Sequence, residues 1–205
     1  MLFNSGIFFF FYLFLYLGFV LCKKTNIQNF ILLLGSYIFY CWWDYRFLSL
    51  ILISTFVDYW VSKNLQAIHD KKKTGNKKIW LAISLIVNFG LLAFFKYFNF
   101  LAENIFSILG LLGVQDKPWS LNIILPLGIS FYTFQTVSYT VDVYRKRFKA
   151  IDNYLDFSLF VSFFPQLIAG PIERASSLLP QLQKKKEISE EMIRTGAWLI
   201  IFGLF

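Results

Sequence analysis

The sequence predicts an all-α protein, a polytopic transmembrane helical bundle with broken or re-entrant segments. Its 205 residues are 57% hydrophobic and only 16% charged, whereas soluble domains carry roughly a quarter charged residues. Apolar runs recur at the length that crosses a bilayer, and the basic residues lie in short segments between them. Because each crossing takes about 20 residues, we expect about six membrane segments in a single domain over residues 1–205.

The apolar runs set the order of the predicted helices. The stretch 79–113 is too long for one crossing and is interrupted by Lys96, so we expect a span to about Phe95 and then an interfacial or half-crossing helix. A last helix begins near Glu187. Because its apolar part is cut at Phe205, the chain is interpreted as a C-terminally truncated fragment. The predicted spans are 4–21, 27–43, 47–61, 79–95, 123–144 and 154–168.

Charge predicts the orientation, since short loops rich in lysine and arginine stay cytoplasmic. Loop 63–78 is therefore predicted to be cytoplasmic, with 23–24 and 145–147 on the same side and the N-terminus outside. The net charge of +8 then indicates attraction to membrane lipid. No nucleic-acid partner is expected, because no basic face of a soluble module can be drawn. No Cys/His spacing suggests a metal site.

Polar side chains at membrane depth usually face the interior of a bundle. Asp58 lies near the inner end of its span, and the favoured interpretation is an ion pair with a loop lysine. Asn88 is expected to form an interhelical hydrogen bond. His69, the single histidine, is interpreted as a solvated loop residue. A His-x4-Asp acyltransferase pair would need an acid where Thr74 stands.

Segment 125–145 is the richest in polar residues. At about 100° per residue, Gln135 and Asp142 share one arc of a helix, which should face protein or water. Pro126 and Gly128 should loosen or start that helix. Such features reflect packing more often than a site. Threonines that can bond carbonyls of their own helix lie on the opposite side: Thr133, Thr136 and Thr140.

Proline and glycine interrupt the last of the predicted spans. Pro165 and the pair Gly170 and Pro171 cannot sit in an ideal helix without freeing carbonyl groups, which Gln166 and Arg174 could satisfy. Broken backbone at membrane depth is tolerated only inside protein or along a water-filled cavity. The segment is a candidate re-entrant or pore-lining element, and a plain helix end with a turn is the alternative.

Two long segments resemble the signature of the membrane-bound O-acyltransferase family. They are LPLGISFYTFQTVSYTVDVYRK at 125–146 and LDFSLFVSFFPQLIAGPIERASSLLPQL at 155–182. The chain is most similar to the alginate O-acetyltransferase branch, which LFNS at 2–5 and YCWWDYRFL at 40–48 also resemble. The resemblance covers essentially the whole chain.

The resemblance implies a multi-pass O-acyltransferase, an O-acetyltransferase by its branch, in a bacterial plasma (inner) membrane. The acyl donor, acetyl-CoA or an acyl carrier, would enter from the cytoplasm, and no bound cofactor is expected. The acceptor would be an extracytoplasmic polysaccharide such as alginate, reached directly or through periplasmic or extracellular acetyltransferase partner proteins.

The family's essential histidine is expected beyond Phe205, so the resemblance assigns no catalytic residue here and implies that this fragment alone is inactive. It does assign residues of channel architecture or motif. They are Pro126, Gly128, Gln135, Asp142, Pro165, Gln166, Gly170, Pro171 and Arg174.

Other functions stay open at this point. Within the family, D-alanyl transfer to teichoic acid and peptidoglycan O-acetylation differ only in donor and acceptor. Outside the family, a transporter or channel for a small anion or lipid would fit the broken helices equally well without the recognised motifs.

Overall fold

The computed structural model describes residues 5–111, 124–170, 173–184 and 188–204. These residues form helices joined by short connections, with no strand among them, so the all-α prediction is confirmed. A 3₁₀ turn, Tyr45–Phe47, precedes α3, and a π-helical segment, Ala93–Tyr97, joins α4 to α5. The helices are α1 (Gly6–Leu21), α2 (Thr25–Asp44), α3 (Leu48–His69), α4 (Lys77–Leu92), α5 (Phe98–Leu111), α6 (Ile129–Tyr144), α7 (Tyr154–Ser162), α8 (Phe164–Ala169), α9 (Ala175–Gln183) and α10 (Glu190–Leu204).

Three helices, α3, α4 and α6, pack against one another at the centre of the protein. Helix α7 packs against α2 and α3, while α1 lies on α2 and α9 lies on α7. The ring of Tyr139 on α6 meets that of Phe157 on α7, with ring centroids 4.7 Å apart, and both side chains are fully buried. The two segments that resemble the family signature are therefore part of one core.

Asparagine side chains start two of the helices. Asn76 Oδ1 accepts from the backbone N–H of Lys78 at 2.9 Å, and Asn153 Oδ1 accepts from that of Leu155 at 3.0 Å. Each bond satisfies one of the N–H groups that a helix start leaves without an intrahelical partner. These caps fix where α4 and α7 begin.

Helix α3 is longer than the sequence analysis predicted. The expected loop 63–78 is helical as far as His69, so the connection to α4 is only 70–76. The extension contains Leu65, which is fully buried in the core. This buried leucine gives the extension an apolar side that packs on the core, which favours helix beyond the apolar run.

The irregularity expected near Phe95 in the stretch 79–113 is present, but it does not end the helix. The backbone stays helical from Lys77 to Leu111, and the irregularity takes the form of the π-helical segment Ala93–Tyr97. Lys96, the residue expected to interrupt the span, lies in that segment and donates from Nζ to the hydroxyl of Ser130 at 3.1 Å. A bulge of this kind changes the helix face without ending the helix.

Among the described residues, the helix Lys77–Ile108 has the length and apolar composition to cross a membrane, and 17% of its apolar stretch is buried. Helix α1 is apolar but has 16 residues. Both helices leave large apolar side chains exposed. The bundle of about six spans stays a prediction. The exposed side chains include Phe9, Phe10, Phe14, Ile79, Ile86 and Phe100.

Candidate functional site

A buried polar cluster joins α3, α4 and α6. Asp58, which has no exposed surface, accepts hydrogen bonds from the hydroxyl of Ser84 and from Nδ2 of Asn88, the latter at 2.8 Å. Asn88 Oδ1 accepts from the hydroxyls of Ser54 at 2.5 Å and Thr136 at 3.3 Å. The interhelical bond predicted for Asn88 is confirmed. The ion pair favoured for Asp58 is wrong, because its hydrogen-bond partners in the described chain are neutral.

The side of α6 that carries Thr133, Thr136 and Thr140 contributes to this cluster as well as bonding its own helix. Thr136 bonds the carbonyl of Thr133 at 3.1 Å, as expected for a threonine within a helix. Thr136 also donates to Asn88 Oδ1 at 3.3 Å, so this side of α6 takes part in the cluster. Because all three threonines are buried, both this side of α6 and the side of Gln135 face protein.

The predicted interruption at Pro165 is confirmed. Two side chains from other helices form hydrogen bonds with the backbone groups that the interruption leaves free. In a continuous helix the N–H of Phe164 would donate to the carbonyl of Phe160. Instead, this N–H donates to Ser36 Oγ on α2 at 3.2 Å, and the Phe160 carbonyl accepts from Gln135 Nε2 on α6 at 2.6 Å. Pro165 has no N–H with which to continue the helix. Helices α2 and α6 thus satisfy the two halves of the missing bond.

The hydrogen-bond donor to the freed Phe160 carbonyl differs from the one predicted. We expected Gln166 and Arg174 to bond the freed carbonyl groups, but the Phe160 carbonyl accepts from Gln135. Arg174 is exposed and stands before α9. Ser36 was missed, since a serine inside an apolar helix usually bonds its own helix. Ser36 does this as well, donating to the Leu32 carbonyl at 2.8 Å.

Gly128 begins α6 in a left-handed conformation, with φ 71°. A Cβ atom at this position would lie 2.7 Å from the carbonyl oxygen of Leu167 on α8. Next to it, the hydroxyl of Tyr40 on α2 donates to the Leu127 carbonyl at 3.0 Å. The predicted helix start is confirmed. It lies in close contact with α8 and is hydrogen-bonded to α2.

The other predicted site residues lie apart from this contact or outside the described residues. Asp142 is half-buried in the last turn of α6, about 10 Å along the helix from Gln135. Gly170 ends α8, where a Cβ atom would lie 2.8 Å from Cα of Gln166. Pro171 is outside the described residues. The structure therefore brings Gln135 to the helix break that precedes Pro165, through the Phe160 carbonyl, while Asp142 lies at the other end of α6.

An apolar groove of about 440 Å³ lies beside the helix break, between α1, α8 and α9. Aromatic side chains from α1 and the break form much of its wall. A lining of this kind suits a hydrocarbon chain better than a charged group. Its lining includes Tyr12, Tyr16, Phe19, Phe163, Pro165 and Leu178.

The two basic segments predicted to share one side of the membrane lie at the same end of the protein. Lys63 on α3 pairs with the carboxylate of Asp152, and Tyr59 Oη donates to the Asp152 carbonyl at 2.5 Å. Gln66 Oε1 accepts from the N–H of Ala150 at 3.2 Å. The hydrogen bond from Lys63, and then its charge, lower the pKa of Asp152.

His69 is not the solvated loop residue that was expected. It is the last residue of α3, and both ring nitrogens are shielded from solvent. Its side chain lies near the backbone of Val143 and Tyr144, at the end of α6. Burial first, and then the charges of Lys77 and Lys146, lower its pKa, so the ring is neutral at pH 7.

Comparison with known proteins gives relatives among O-acetyltransferases. The probable alginate O-acetylase AlgI of Pseudomonas aeruginosa is 38% identical over 186 residues, which cover 90% of this chain and 35% of the relative. The protein of the same name from Azotobacter vinelandii is 37% identical over 185 residues, 90% of this chain and 36% of the relative.

A third relative is named for a different substrate. The peptidoglycan O-acetyltransferase of Helicobacter pylori is 32% identical over an alignment that covers 100% of this chain and 43% of the relative. The chain spans about a third of the length of the alginate O-acetylases it matches. No family model and no solved structure matches it.

Proposed function

Because this chain belongs to the membrane-bound O-acyltransferase family, in the branch of the alginate O-acetylases, we propose that it forms part of the membrane domain of an O-acetyltransferase. The protein would pass an acetyl group from a cytoplasmic donor to a polysaccharide outside a bacterial plasma membrane. The observation that carries this proposal is the identity of 38% to an alginate O-acetylase over 90% of the chain.

Exposed apolar surfaces support the membrane location. Helix α1 and the helix Lys77–Ile108 leave phenylalanine and isoleucine side chains uncovered, whereas monomeric soluble proteins rarely expose large contiguous apolar patches. Polar groups such as Asp58 are instead buried among hydrogen-bond partners. In our proposal α1, α2, α3, the continuous helix formed by α4 and α5, and α6 each cross the membrane once. The basic end then lies in the cytoplasm and the N-terminus outside.

The reaction is the transfer of an acetyl group from a thioester to a hydroxyl. The acceptor oxygen forms the new ester bond, the C–S bond of acetyl-CoA or an acyl carrier breaks, and a base passes the hydroxyl proton to the leaving thiolate. We assign no such base in the described chain. His69, the single histidine of the sequence, does not fit this role, because both of its ring nitrogens are shielded from solvent at the end of α3.

In this proposal the contact between Gln135 and the helix break forms part of the wall that guides donor or acceptor. The two segments that resemble the family signature meet here, because Gln135 bonds the carbonyl of Phe160 and Gly128 lies against Leu167. The apolar groove next to Pro165 adds a surface for a hydrocarbon chain. Periplasmic acetyltransferase partners would complete the transfer to the polymer.

Peptidoglycan is the second candidate acceptor. The relative named for that activity aligns over 100% of the chain, although its identity of 32% is lower. Both candidates use the same bond chemistry, since each acceptor offers a sugar hydroxyl.

Deletion of the gene from its host tests the proposal and separates the two acceptors. Ester-linked acetate released by mild alkali is measured separately from exopolysaccharide and from purified peptidoglycan. We expect the loss of acetate from exopolysaccharide, with restoration by the full-length gene. Loss from peptidoglycan alone would favour the second candidate, and unchanged acetate in both polymers would contradict an O-acetyltransferase function.

A further inference from the structure

The buried polar cluster of α3, α4 and α6 is built from three pairs of residues, and the members of each pair are four residues apart on one helix. Residues at this spacing lie on the same face, one above the other. All six side chains are fully buried. The pairs are Ser54 and Asp58 on α3, Ser84 and Asn88 on α4, and Thr136 and Thr140 on α6.

One level of the cluster brings together a neutral oxygen from each of the three helices. Ser54 Oγ is 2.5 Å from Asn88 Oδ1 and 3.5 Å from Thr136 Oγ1. The distance from Thr136 Oγ1 to Asn88 Oδ1 is 3.3 Å. None of the three side chains carries a charge, so this level consists of oxygen dipoles alone.

The next turn forms a second level, at which Asp58 of α3 stands beside Thr140 of α6. The two helices run in the same direction, because Gln66 near the end of α3 bonds the N–H of Ala150, which follows α6. Each residue comes four positions after a member of the first level. The Thr140 hydroxyl is fully buried and has no hydrogen-bond partner in the described chain. A buried hydroxyl of this kind indicates a ligand that the chain itself does not supply.

Asp58 brings a negative charge into the interior. Its two carboxylate oxygens each accept a hydrogen bond, one from the hydroxyl of Ser84 and one from Nδ2 of Asn88. Both donors are neutral, and no basic side chain of the described residues forms an ion pair with this carboxylate. Burial of an ionised carboxylate is costly unless a positive charge accompanies it. The cluster therefore lacks one positive charge.

The cluster also offers more lone pairs than hydrogens. An ionised carboxylate has about four lone-pair sites, and an amide or hydroxyl oxygen has about two. The hydrogens are those of the four hydroxyls and of Asn88 Nδ2, which also donates to the Ser84 carbonyl at 2.9 Å. Lone pairs that no hydrogen occupies are what a hard cation binds. The oxygens are two from Asp58, one from Asn88, and the hydroxyls of Ser54, Ser84, Thr136 and Thr140.

We propose that this cluster binds a sodium ion, with the Asp58 carboxylate and the Thr140 hydroxyl among its ligands. Every ligand on offer is an oxygen, which suits a hard cation rather than zinc or copper. One carboxylate balances one positive charge, whereas a divalent ion would leave an excess charge in the interior. Oxygens 2.5 to 3.5 Å apart favour Na⁺ over the larger K⁺. The site does not depend on the proposed acetyl transfer.

A proton on Asp58 is the other way to remove its charge. Protonation would turn one carboxylate oxygen from an acceptor into a donor. Both oxygens accept hydrogen bonds in the structure, from Ser84 and from Asn88. A proton would also bind a single oxygen, whereas the cluster gathers oxygens from three helices. The arrangement therefore favours a metal cation.

Sodium binding is measured on the full-length protein in detergent. The unfolding temperature is recorded in NaCl, in KCl and in N-methyl-D-glucamine chloride, at one ionic strength and one pH. Binding of ²²Na⁺ is measured by equilibrium dialysis. We expect a higher unfolding temperature in NaCl than in the other two salts, because a ligand that binds only the folded state stabilises it, and saturable binding of about one ion per protein.

Two substitutions separate ion binding from folding. Asp58→Asn removes the charge and keeps the shape, so it should abolish ²²Na⁺ binding. Without sodium it should unfold at the same temperature as the wild type or higher, because the uncompensated charge is gone. Thr140→Val removes a hydroxyl that bonds nothing in the described chain. This variant should fold normally and bind sodium about tenfold more weakly.

Ser162→Ala is the matched control, because Ser162 is a buried serine of α7 whose hydroxyl donates to the Ser158 carbonyl of its own helix at 2.7 Å. Its response to sodium should equal that of the wild type. The proposal is overturned if NaCl stabilises the wild type no more than KCl or N-methyl-D-glucamine chloride does. It is equally overturned if Thr140→Val keeps the wild-type affinity, and this variant decides the matter if Asp58→Asn does not fold. An unfolding temperature that follows pH but not sodium would assign the missing charge to a proton and overturn the sodium site.

Discussion

The amide Nδ2 of Asn88 lies 2.8 Å from a carboxylate oxygen of Asp58, and this hydrogen bond joins α4 to α3 inside the protein. Ser84, one turn before Asn88, donates to the other oxygen of the same carboxylate. Thr136 brings α6 into the cluster through its bond to Asn88 Oδ1 at 3.3 Å. The three central helices are therefore held in one relative register by polar groups among apolar neighbours.

Asn88→Ala should reduce the free energy of unfolding by about 1–3 kcal/mol, because it leaves a buried carboxylate oxygen without its donor. Thermal unfolding of the solubilised protein measures the effect. Asn104→Ala is the control, since Asn104 is exposed on α5 and bonds only the Phe100 carbonyl of its own helix, at 2.6 Å. Equal unfolding temperatures for the two variants would mean that the cluster does not stabilise the fold.

Ser36→Ala and Gln135→Leu should each destabilise the protein by about 1–3 kcal/mol, because each leaves one half of the broken helical bond without a partner. The double variant should lose less than the sum, since the N–H of Phe164 and the carbonyl of Phe160 can then bond each other. A double-mutant cycle of unfolding free energies measures this coupling.

Ser49→Ala is the control for that cycle, because the exposed Ser49 hydroxyl bonds only the nearby Arg46 carbonyl, at 2.7 Å. Strictly additive losses for Ser36→Ala and Gln135→Leu would show that the two side chains act independently at the break.

Gly128→Ala should destabilise the protein by about 2 kcal/mol or more. Alanine is strained in the left-handed conformation, and its Cβ atom would clash with Leu167. The distance of that Cβ from the Leu167 carbonyl oxygen would be 2.7 Å. Gly90→Ala is the opposite case, since nothing lies within 4 Å of a Cβ there. Gly90→Ala should stabilise α4 by about 0.5–1 kcal/mol, and a similar loss at both positions would refute the close contact.

The Lys63–Asp152 pair should make stability depend on pH at the acid end. The pKa of Asp152 is lower in the folded protein, so the contribution is present above the ordinary aspartate pKa of about 3.9 and is lost as pH falls through the folded value. The effect should be small, because the Asp152 side chain is 92% exposed. Asp152→Asn should lower the unfolding temperature slightly at pH 7, and this difference from the wild type should shrink as the pH falls through the folded pKa of Asp152. A difference of the same size at every pH would assign the loss of stability to another cause.

The sequence predicted the elements that local patterns determine. The helical class followed from apolar runs, the start of α6 from Pro126 and Gly128, and the interruption from Pro165. These features depend on the conformational limits of proline and glycine and on the length of apolar runs, which are visible in the chain itself.

The partners of polar residues could not be predicted in the same way. Asp58 and Ser84 are 26 residues apart, and Gln135 and Phe160 are 25 residues apart, so only the packing of helices shows that they meet. Ser36 is 128 residues from Phe164 in the chain. The end of α3 was misplaced because the buried Leu65 lies beyond the apolar run, among polar residues.

Transfer of labelled acetyl groups in membrane vesicles tests the central claim most directly. Inside-out vesicles that contain the full-length protein and its partners receive [14C]acetyl-CoA, with alginate enclosed as the acceptor. Our account predicts alkali-labile label on the enclosed polysaccharide, and none in vesicles from the deletion strain. Equal labelling with and without the protein, or no label on any polysaccharide while the protein is present and folded, would contradict it.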